Sequence, residues 1–254
     1  MPSAYCPSLG VALQSVGFVA SCLVHASRAF ASSPAIERSW QVVYATVWVG
    51  PAVGLDASEV INSGKKDYGR TGLAKPGLVG GPCLYKDPYI FSQSINKYGI
   101  SAEITLMARK INERQPFEVV NYIYKFLKQN ENFSKKPKIS LIGLAFKGYP
   151  VTDDLRGSMA IKVFKAIRKK FKQSKFYGYD PVVASSNIKK LGLQRTRSLS
   201  DAFKNKNIII ILNNHHVFSS MPIEKFSKQL SKPAIIYDFW NHFDTNKLKL
   251  PKKV

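Results

Sequence analysis

The sequence predicts an α/β fold in which a helical segment is followed by a doubly wound, Rossmann-like parallel sheet. Residues 208–212 and 234–238 are unbroken apolar runs, which is the pattern of strands covered on both faces. Shorter strand-like segments occur at 139–144 and 175–180. Because helical periodicity separates these segments, they indicate a parallel sheet over about residues 135–245.

The region before the sheet is predicted to be helical. Residues 55–61 have a helix-start pattern in which Asp56 and Ser58 are candidate caps. A loop rich in glycine and proline follows. Residues 89–128 then place apolar side chains at helical spacing, and we expect Pro116 at the start of a second helix.

Helices are also predicted between the strands, at 158–172, 199–204 and 222–230. The polar, lysine-rich run 130–138 is predicted to be a linker.

We therefore expect three regions. Residues 1–54 form a poorly specified N-terminus, residues 55–130 form a central helical segment, and residues 135–250 form the sheet domain.

The composition limits the class of protein. With 254 residues, 45% of them apolar, the chain can bury a substantial core, which excludes disorder over most of its length. Three cysteines are too few for a disulfide framework, so a cytoplasmic protein is expected. The apolar stretch 11–24 is too short and too polar to span a bilayer and follows no positive charge, so neither a membrane anchor nor a signal peptide is predicted.

The net charge of +22 is unevenly distributed. Residues 1–60 contain two arginines and three acidic residues, whereas the rest of the chain holds 36 basic and 13 acidic residues. A basic surface attracts nucleic acid, anionic lipid or phosphorylated metabolites. Because the lysines mostly interrupt helical apolar patterns and no nucleic-acid motif is present, a solvated helix surface is favoured and no nucleic-acid partner is expected.

Cys83 follows the glycine pair Gly80-Gly81 and precedes Lys86 and Asp87. A cysteine is nucleophilic as its thiolate, which nearby positive charge and helix amides favour, and glycines allow a substrate to approach the main chain. A buried, inert cysteine in a turn is compatible with the same spacing of glycines and charged residues. The spacing alone leaves both interpretations open.

A second motif, residues 143–158, lies where a predicted strand meets a helix start. Ligands of open parallel sheets sit at that edge, and helix amides there accept phosphate. Lys147 and Arg156 would add positive charge. No G-x-G-x-x-G fingerprint follows the strand, so the fold by itself does not establish a nicotinamide site.

Together these blocks resemble the nucleotide-sugar 6-dehydrogenases, the UDP-glucose/GDP-mannose dehydrogenase family. The family's G-G-x-C-x-x-K-D loop is matched at 80–87, and its G-L-A-F-K…T-D-D-x-R-x-S signature at 143–158. Residues 108–112 look like its central-helix sequence. Three later segments resemble strand ends of its C-terminal domain: Tyr179-Asp180-Pro181, Leu212-Asn213-Asn214-His215 and Tyr237-Asp238.

The resemblance implies oxidation of the C6 alcohol of a UDP-sugar to a carboxylate, with two NAD molecules reduced. Cys83 would attack the intermediate aldehyde and carry a thiohemiacetal and then a thioester. Asp87 would place or activate the hydrolytic water, and Lys86 would bind near the cofactor or the active-site loop.

The resemblance also implies the ligand contacts. Gly80, Gly81 and Lys147 would bind the substrate. Arg156 would face the cofactor. Arg70 matches an arginine that reaches the substrate of a partner subunit, which implies a homodimer.

The departures from the family predict a truncated enzyme. The family's N-terminal NAD-binding domain has no counterpart here, and residues 1–54 contain neither the lysine nor the asparagine that stabilises the oxyanion in the family. We therefore expect impaired turnover and doubtful NAD binding. The sugar is left open among glucose, N-acetylglucosamine and N-acetylmannosamine derivatives.

Two alternatives belong to other classes. In the first, the chain is a non-enzymatic nucleotide- or RNA-binding basic module in which Cys83 is idle. In the second, His215, His216 and His242 bind a metal. We disfavour the second and expect no metal, because adjacent histidines should point in different directions and no cysteine pair is near.

Overall fold

The computed structural model describes residue 63, residues 77–244 and residues 247–251. The predicted helix start at 55–61, the N-terminal residues 1–54 and Arg70 lie outside the described residues.

A five-stranded sheet forms the second half of the described chain, and all its strands are parallel. The strands are β1 (Lys138–Ile142), β2 (Lys175–Tyr179), β3 (Gln194–Arg195), β4 (Ile208–Ile211) and β5 (Ile235–Asp238). Their order is β3-β2-β1-β4-β5, so the strand order reverses between β1 and β4. This confirms the predicted doubly wound sheet. It also places the carboxyl ends of β1 and β4 at the position where open α/β sheets bind ligands.

Seven helices lie within residues 77–244. They are α1 (Pro82–Asn96), α2 (Glu103–Lys128), α3 (Met159–Lys170), α4 (Ser185–Lys190), α5 (Leu199–Phe203), α6 (His216–Ser219) and α7 (Ile223–Ser227). The short elements α4 and β3 were not predicted, because six and two residues are too few for a hydrophobic period to register.

The core has one layer on each face of the sheet. Ile208 and Ile210 of β4 join the layer that includes α2 and α3, whereas Ile209 and Ile211 join the layer that includes Phe203 and Phe218. All four isoleucines are fully buried, because side chains alternate across a strand and both faces of this strand are covered. This explains the unbroken apolar run in the sequence.

Helix α2 passes through Pro116 without ending, so the prediction that Pro116 starts a second helix was wrong. Proline inside a helix costs about 3 kcal/mol because it removes one hydrogen bond and crowds the preceding turn. Beyond the proline, α2 buries an apolar stripe, and each buried aliphatic side chain contributes about 1.5–3 kcal/mol. That stripe consists of Val119, Val120, Ile123 and Leu127.

The predicted linker 130–138 is partly structured. Phe133 is buried in the core, and Lys138 is the first residue of β1. Among the described residues, no helix combines the length and the apolar character needed to cross a membrane.

Candidate functional site

We call residues 80–83 the cysteine loop; it runs into the first turn of α1 at Pro82, and its two glycines lie directly against the loop between β1 and α3. The Gly81 N–H donates to the Gly157 carbonyl oxygen at 3.1 Å. A methyl group on Gly80 would lie 2.5 Å from that same oxygen, and one on Gly157 would lie 2.8 Å from the Gly81 carbonyl oxygen. Gly157 also has a φ of 65°, which side chains rarely adopt. The two backbones can approach this closely only because both sides are glycine.

Asn112 of α2 holds the residues that precede the cysteine loop. Its amide nitrogen donates to the Val79 carbonyl oxygen at 2.6 Å, and the Val79 N–H donates back to its amide oxygen at 3.4 Å. Asn112 is buried. Sequence reasoning noted it only within residues 108–112, which resemble the family's central-helix sequence, and did not select it as a site residue.

Cys83 is exposed and lies in the first turn of α1, which begins at Pro82. Proline is well suited to the first helical position, where no intrahelical N–H bond is lost. The exposure rules out the buried, inert cysteine that the spacing had left open.

Two cations lie close enough to Cys83 for its charge to act on them. Lys86 pairs with Asp87; the hydrogen bond to Asp87 is the main cause that raises the pKa of the Lys86 ammonium, and the Cys83 thiolate adds a smaller contribution. The Cys83 thiolate also contributes to the raised pKa of the Arg156 guanidinium. Because both side chains are exposed, these interactions are worth little for stability, but they place positive charge beside the sulfur.

Arg156 is oriented by its own loop. Its Nε and Nη2 donate to the Asp154 carboxylate at 3.0 and 2.8 Å, and its backbone N–H donates to Asp154 Oδ1 at 2.8 Å. These hydrogen bonds lower the pKa of Asp154 and are the main cause of the raised pKa of Arg156. The Asp154 carbonyl oxygen in turn accepts from the Phe146 N–H, so the two ends of the loop are tied together.

Phe146 lies between the cysteine loop and Lys147. A methyl group on Gly81 would meet the Phe146 ring at 2.9 Å, and the Lys147 Nζ lies 5.3 Å from the centre of the same ring. Gly81 has a φ of 120°, so a side chain there would be strained as well as crowded. The half-buried Lys147 is therefore held near the cysteine loop through an aromatic ring.

Asp180, at the end of β2, fixes the start of the β1–α3 loop. One carboxylate oxygen accepts from the Leu144 and Ala145 N–H groups at 2.7 and 3.0 Å, and the other accepts from Val182 and Val183 at 2.9 and 3.0 Å. Ser158 caps α3 by accepting from the Ala160 N–H. The Leu144, Ala145 and Ala160 N–H groups therefore already have protein partners, and the contact of helix amides at this edge with phosphate stays a prediction. Lys147 and Arg156 supply positive charge on the same loop.

The loop after β4 supports the other side of the β1–α3 loop. Asn214 accepts from the Gly148 and Tyr149 N–H groups at 2.8 and 3.2 Å, and Asn213 donates to the Ala145 carbonyl oxygen at 3.3 Å. A methyl group on Gly148 would collide with the backbone of His215 at 2.0 Å. Sequence reasoning noted these asparagines only as strand ends. A polar residue at the carboxyl end of a buried strand was the signal that could have selected them.

The end of β5 contacts the approach to the cysteine loop. A methyl group on Gly77 would lie 2.5 Å from the Trp240 ring, and Trp240 Nε1 donates to the Leu212 carbonyl oxygen at 3.0 Å. The ends of β1, β2, β4 and β5 thus all contribute to holding the two loops.

His215, His216 and His242 do not come together as the ligands of a metal ion. The His215 and His216 rings stack with centroids 4.3 Å apart, so the expectation that they point in different directions was wrong. His215 Nδ1 accepts from the Val217 N–H and caps α6, and burial, with a smaller effect of His216, lowers the pKa of His215. His242 Nδ1 is paired with Asp238. Across residues 77–244 and 247–251, no group of three or more histidine, cysteine and acidic side chains is placed to hold a metal ion.

The structure therefore brings Gly80 and Gly81 against the loop that carries Lys147 and Arg156, and Cys83 is exposed in the helical turn that follows them. Lys86 and Asp87 lie one turn further along α1, on its exposed surface.

The sequence matches two domains of one protein family. Residues 49–114 match the central domain of the UDP-glucose/GDP-mannose dehydrogenase family, and residues 140–245 match its UDP-binding domain.

Curated relatives carry related names. UDP-N-acetyl-D-mannosamine dehydrogenase of Pyrococcus horikoshii is 31% identical over 183 residues, which are 71% of this chain and 39% of that protein. UDP-N-acetyl-D-glucosamine 6-dehydrogenase of Pseudomonas aeruginosa is 25% identical over 177 residues, or 69% of this chain and 40% of that protein. The chain spans about 40% of the length of these relatives.

Solved structures have the same fold. The structure of UDP-D-ManNAc dehydrogenase from Pyrococcus horikoshii has a TM-score of 0.68 at 26% identity and covers 85% of this chain and 48% of that one. The structure of a UDP-glucose dehydrogenase from Pyrobaculum islandicum has a TM-score of 0.63 at 18% identity and covers 92% and 49%.

Substitution Gly157→Ala tests the contact between the two loops. Gly99→Ala is a matched control, because Gly99 has a φ of 74° and open space around it. We expect the control to cost about 1–2 kcal/mol of unfolding free energy from backbone strain alone. Gly157→Ala should cost at least about 1 kcal/mol more, since its methyl group overlaps Gly81. Urea unfolding measures both, and equal losses would contradict the contact.

Proposed function

We propose that this chain, which belongs to the UDP-glucose/GDP-mannose dehydrogenase family and contains its central and UDP-binding domains, provides the cysteine loop and the UDP-sugar site of a nucleotide-sugar 6-dehydrogenase. The product would be the uronate of a UDP-linked hexose. The observation that carries the proposal is the exposed Cys83 in the helical turn that follows Gly80 and Gly81, which are seated against the ligand-binding edge of the sheet. We propose residues 55–130 as the central segment and 135–250 as the UDP-sugar domain.

The reaction proceeds through a covalent intermediate on Cys83. The C6 alcohol first loses a hydride and a proton and becomes an aldehyde. The thiolate adds to the aldehyde carbon while the aldehyde oxygen takes up a proton, which gives a thiohemiacetal. The thiohemiacetal then loses a second hydride and its hydroxyl proton to give a thioester. Water attacks the thioester carbonyl, the carbon–sulfur bond breaks, and the sulfur leaves as thiolate while the uronate and two protons are released.

The chain's own residues supply the charge for these steps. Arg156 and Lys86 stabilise the thiolate, which is both the attacking group and the leaving group. Asp87, paired with Lys86, orients the water that cleaves the thioester. Lys147, held against Phe146, binds the substrate from the loop beside Gly80 and Gly81.

Dehydrogenases of this family use NAD, which accepts the hydrides when it is bound. Among the described residues, only a group at the edge of an NAD site can be assigned. Arg156 is the one residue assigned to the cofactor, and its exposed guanidinium, held by Asp154, is able to meet a phosphate oxygen. The described residues form a single sheet, whereas the reaction needs one site for the sugar nucleotide and one for the cofactor. We therefore propose that the 254-residue chain by itself turns over its substrate poorly. We also propose that it is located in the cytoplasm.

A homodimer is proposed as well. Helices α1 and α2 carry many exposed large apolar side chains, which is unusual for a surface that faces only water. Among them are Phe91, Ile104, Met107, Phe117 and Tyr122. A second subunit would cover this surface and would bring Arg70, which lies outside the described residues, to the neighbouring substrate.

Binding of UDP tests the substrate site. We expect isothermal titration to detect UDP binding to the whole chain, with ADP weaker. Lys147→Ala should weaken UDP binding by about 10-fold or more, because a charge-assisted hydrogen bond is worth about 1.5–3 kcal/mol. Lys165→Ala, on the exposed surface of α3, removes the same charge and should change the affinity by less than about 2-fold. The same loss in both variants would contradict a site at Lys147.

Alkylation separates the dehydrogenase from the non-enzymatic module. We expect iodoacetamide to label Cys83 faster than Cys6 and Cys22 at neutral pH, as located by peptide mass spectrometry. Arg156→Gln should slow labelling of Cys83, because the thiolate loses a neighbouring positive charge. Lys165→Gln serves as the control. Slow labelling of all three cysteines at one rate would favour the module, in which Cys83 is idle.

A further inference from the structure

An open groove of about 440 Å³ lies on the face of the sheet that carries α5. Its border holds five basic side chains and one acidic side chain, namely Lys138, Arg195, Arg197, Lys204, Lys206 and Asp201. We call this feature the basic groove. It shares no residue with the cysteine loop or the β1–α3 loop.

The positive charge of the basic groove is not neutralised by ion pairs among the residues that the structure describes. Within the part of the chain that the structure describes, none of its five cations forms an ion pair with a carboxylate. Elsewhere, lysines and arginines such as Arg109, Arg114 and Lys162 do pair with glutamates. A concave surface with unpaired charges of one sign concentrates the opposite charge.

The fold holds these charges in place. Thr196 is buried, and both its backbone N–H and its hydroxyl donate to the Gly178 carbonyl oxygen, at 3.0 and 3.3 Å. This anchors the end of β3, so its exposed neighbours Arg195 and Arg197 leave the sheet edge from a fixed backbone.

Lys206 forms the inner wall of the groove. It is buried, with its Nζ 4.1 Å from the centre of the Tyr177 ring and 2.7 Å from the Lys204 carbonyl oxygen. Burial, followed by the charge of Lys138, lowers the pKa of Lys206, whereas Asp201 raises it. The positive charges of Lys138 and Lys206 thus repel each other, and an anion bound between them would reduce this repulsion.

The volume favours a small ligand. It falls within the range of about 300–1,000 Å³ that is typical of small-molecule sites. A single phosphate would meet only some of the cations that border the groove. We propose that the basic groove binds a small polyanion with two or more linked phosphates, either an inorganic oligophosphate or the phosphate chain of a nucleotide.

The test uses the whole chain and sodium tripolyphosphate as the probe, with binding measured by isothermal titration at two salt concentrations. We expect the double substitution Arg195→Glu and Arg197→Glu to weaken binding at least about 10-fold, and the milder pair Arg195→Gln and Arg197→Gln to weaken it less. Lys189→Glu with Lys190→Glu is the matched control. It changes the net charge by the same amount on the exposed surface of α4 and should alter the affinity by less than about 3-fold.

The remaining outcomes identify which phosphate compound binds and whether it binds in the basic groove. ATP that binds as tightly as tripolyphosphate assigns recognition to the phosphates alone, and ATP that binds more tightly adds a base contact; both support the groove. Equal weakening in the Arg195/Arg197 and Lys189/Lys190 variants, or weakening by Lys147→Ala instead, overturns the proposal without touching the UDP-sugar site. A single-stranded RNA that binds at least about 10-fold more tightly than tripolyphosphate through Arg195 and Arg197 overturns it in favour of a polymer.

Discussion

The contact between two glycine backbones is the constraint on which the candidate site depends. Gly80 and Gly81 lie against Gly157 at a separation that leaves no room for a methyl group on either side. This contact joins the loop that carries the nucleophile to the loop that carries Lys147 and Arg156. Because the hydrogen bond at this contact is made by the backbone, the position of Cys83 relative to those charges is set before any ligand binds.

The β1–α3 loop is itself held by polar residues that follow β2 and β4. Asp180, Asn213 and Asn214 together engage eight backbone groups of the surrounding loops. A buried carboxylate with four N–H partners is well compensated, since each charge-assisted hydrogen bond offsets part of its desolvation. Asp180 also occupies the Leu144 and Ala145 N–H groups, which are therefore not free to contact a phosphate. In our proposal Lys147 and Arg156 contact the phosphate instead.

The sequence predicted the larger elements well because they follow simple periods. The two apolar runs became β4 and β5, and residues 158–172 contain α3. Pro116 was misjudged because packing of the helix beyond it outweighs a local rule. The cysteine loop was recognised from its motif, whereas Asn112, Asp180 and Asn214 were not selected, because their partners lie between 33 and 66 residues away in the chain. The basic groove had no sequence signal, since its cations come from separate segments of the chain.

Hydrogen exchange at the Gly81 amide tests the central claim most directly. Gly81 is buried, and its N–H is bonded to the Gly157 carbonyl oxygen under a close backbone contact. We predict by NMR that it exchanges on the slow timescale of the sheet amides of β1, and that Gly157→Ala accelerates it while Gly99→Ala does not. Exchange of the Gly81 amide as fast as that of an unprotected loop would contradict the docking of the cysteine loop on the sheet.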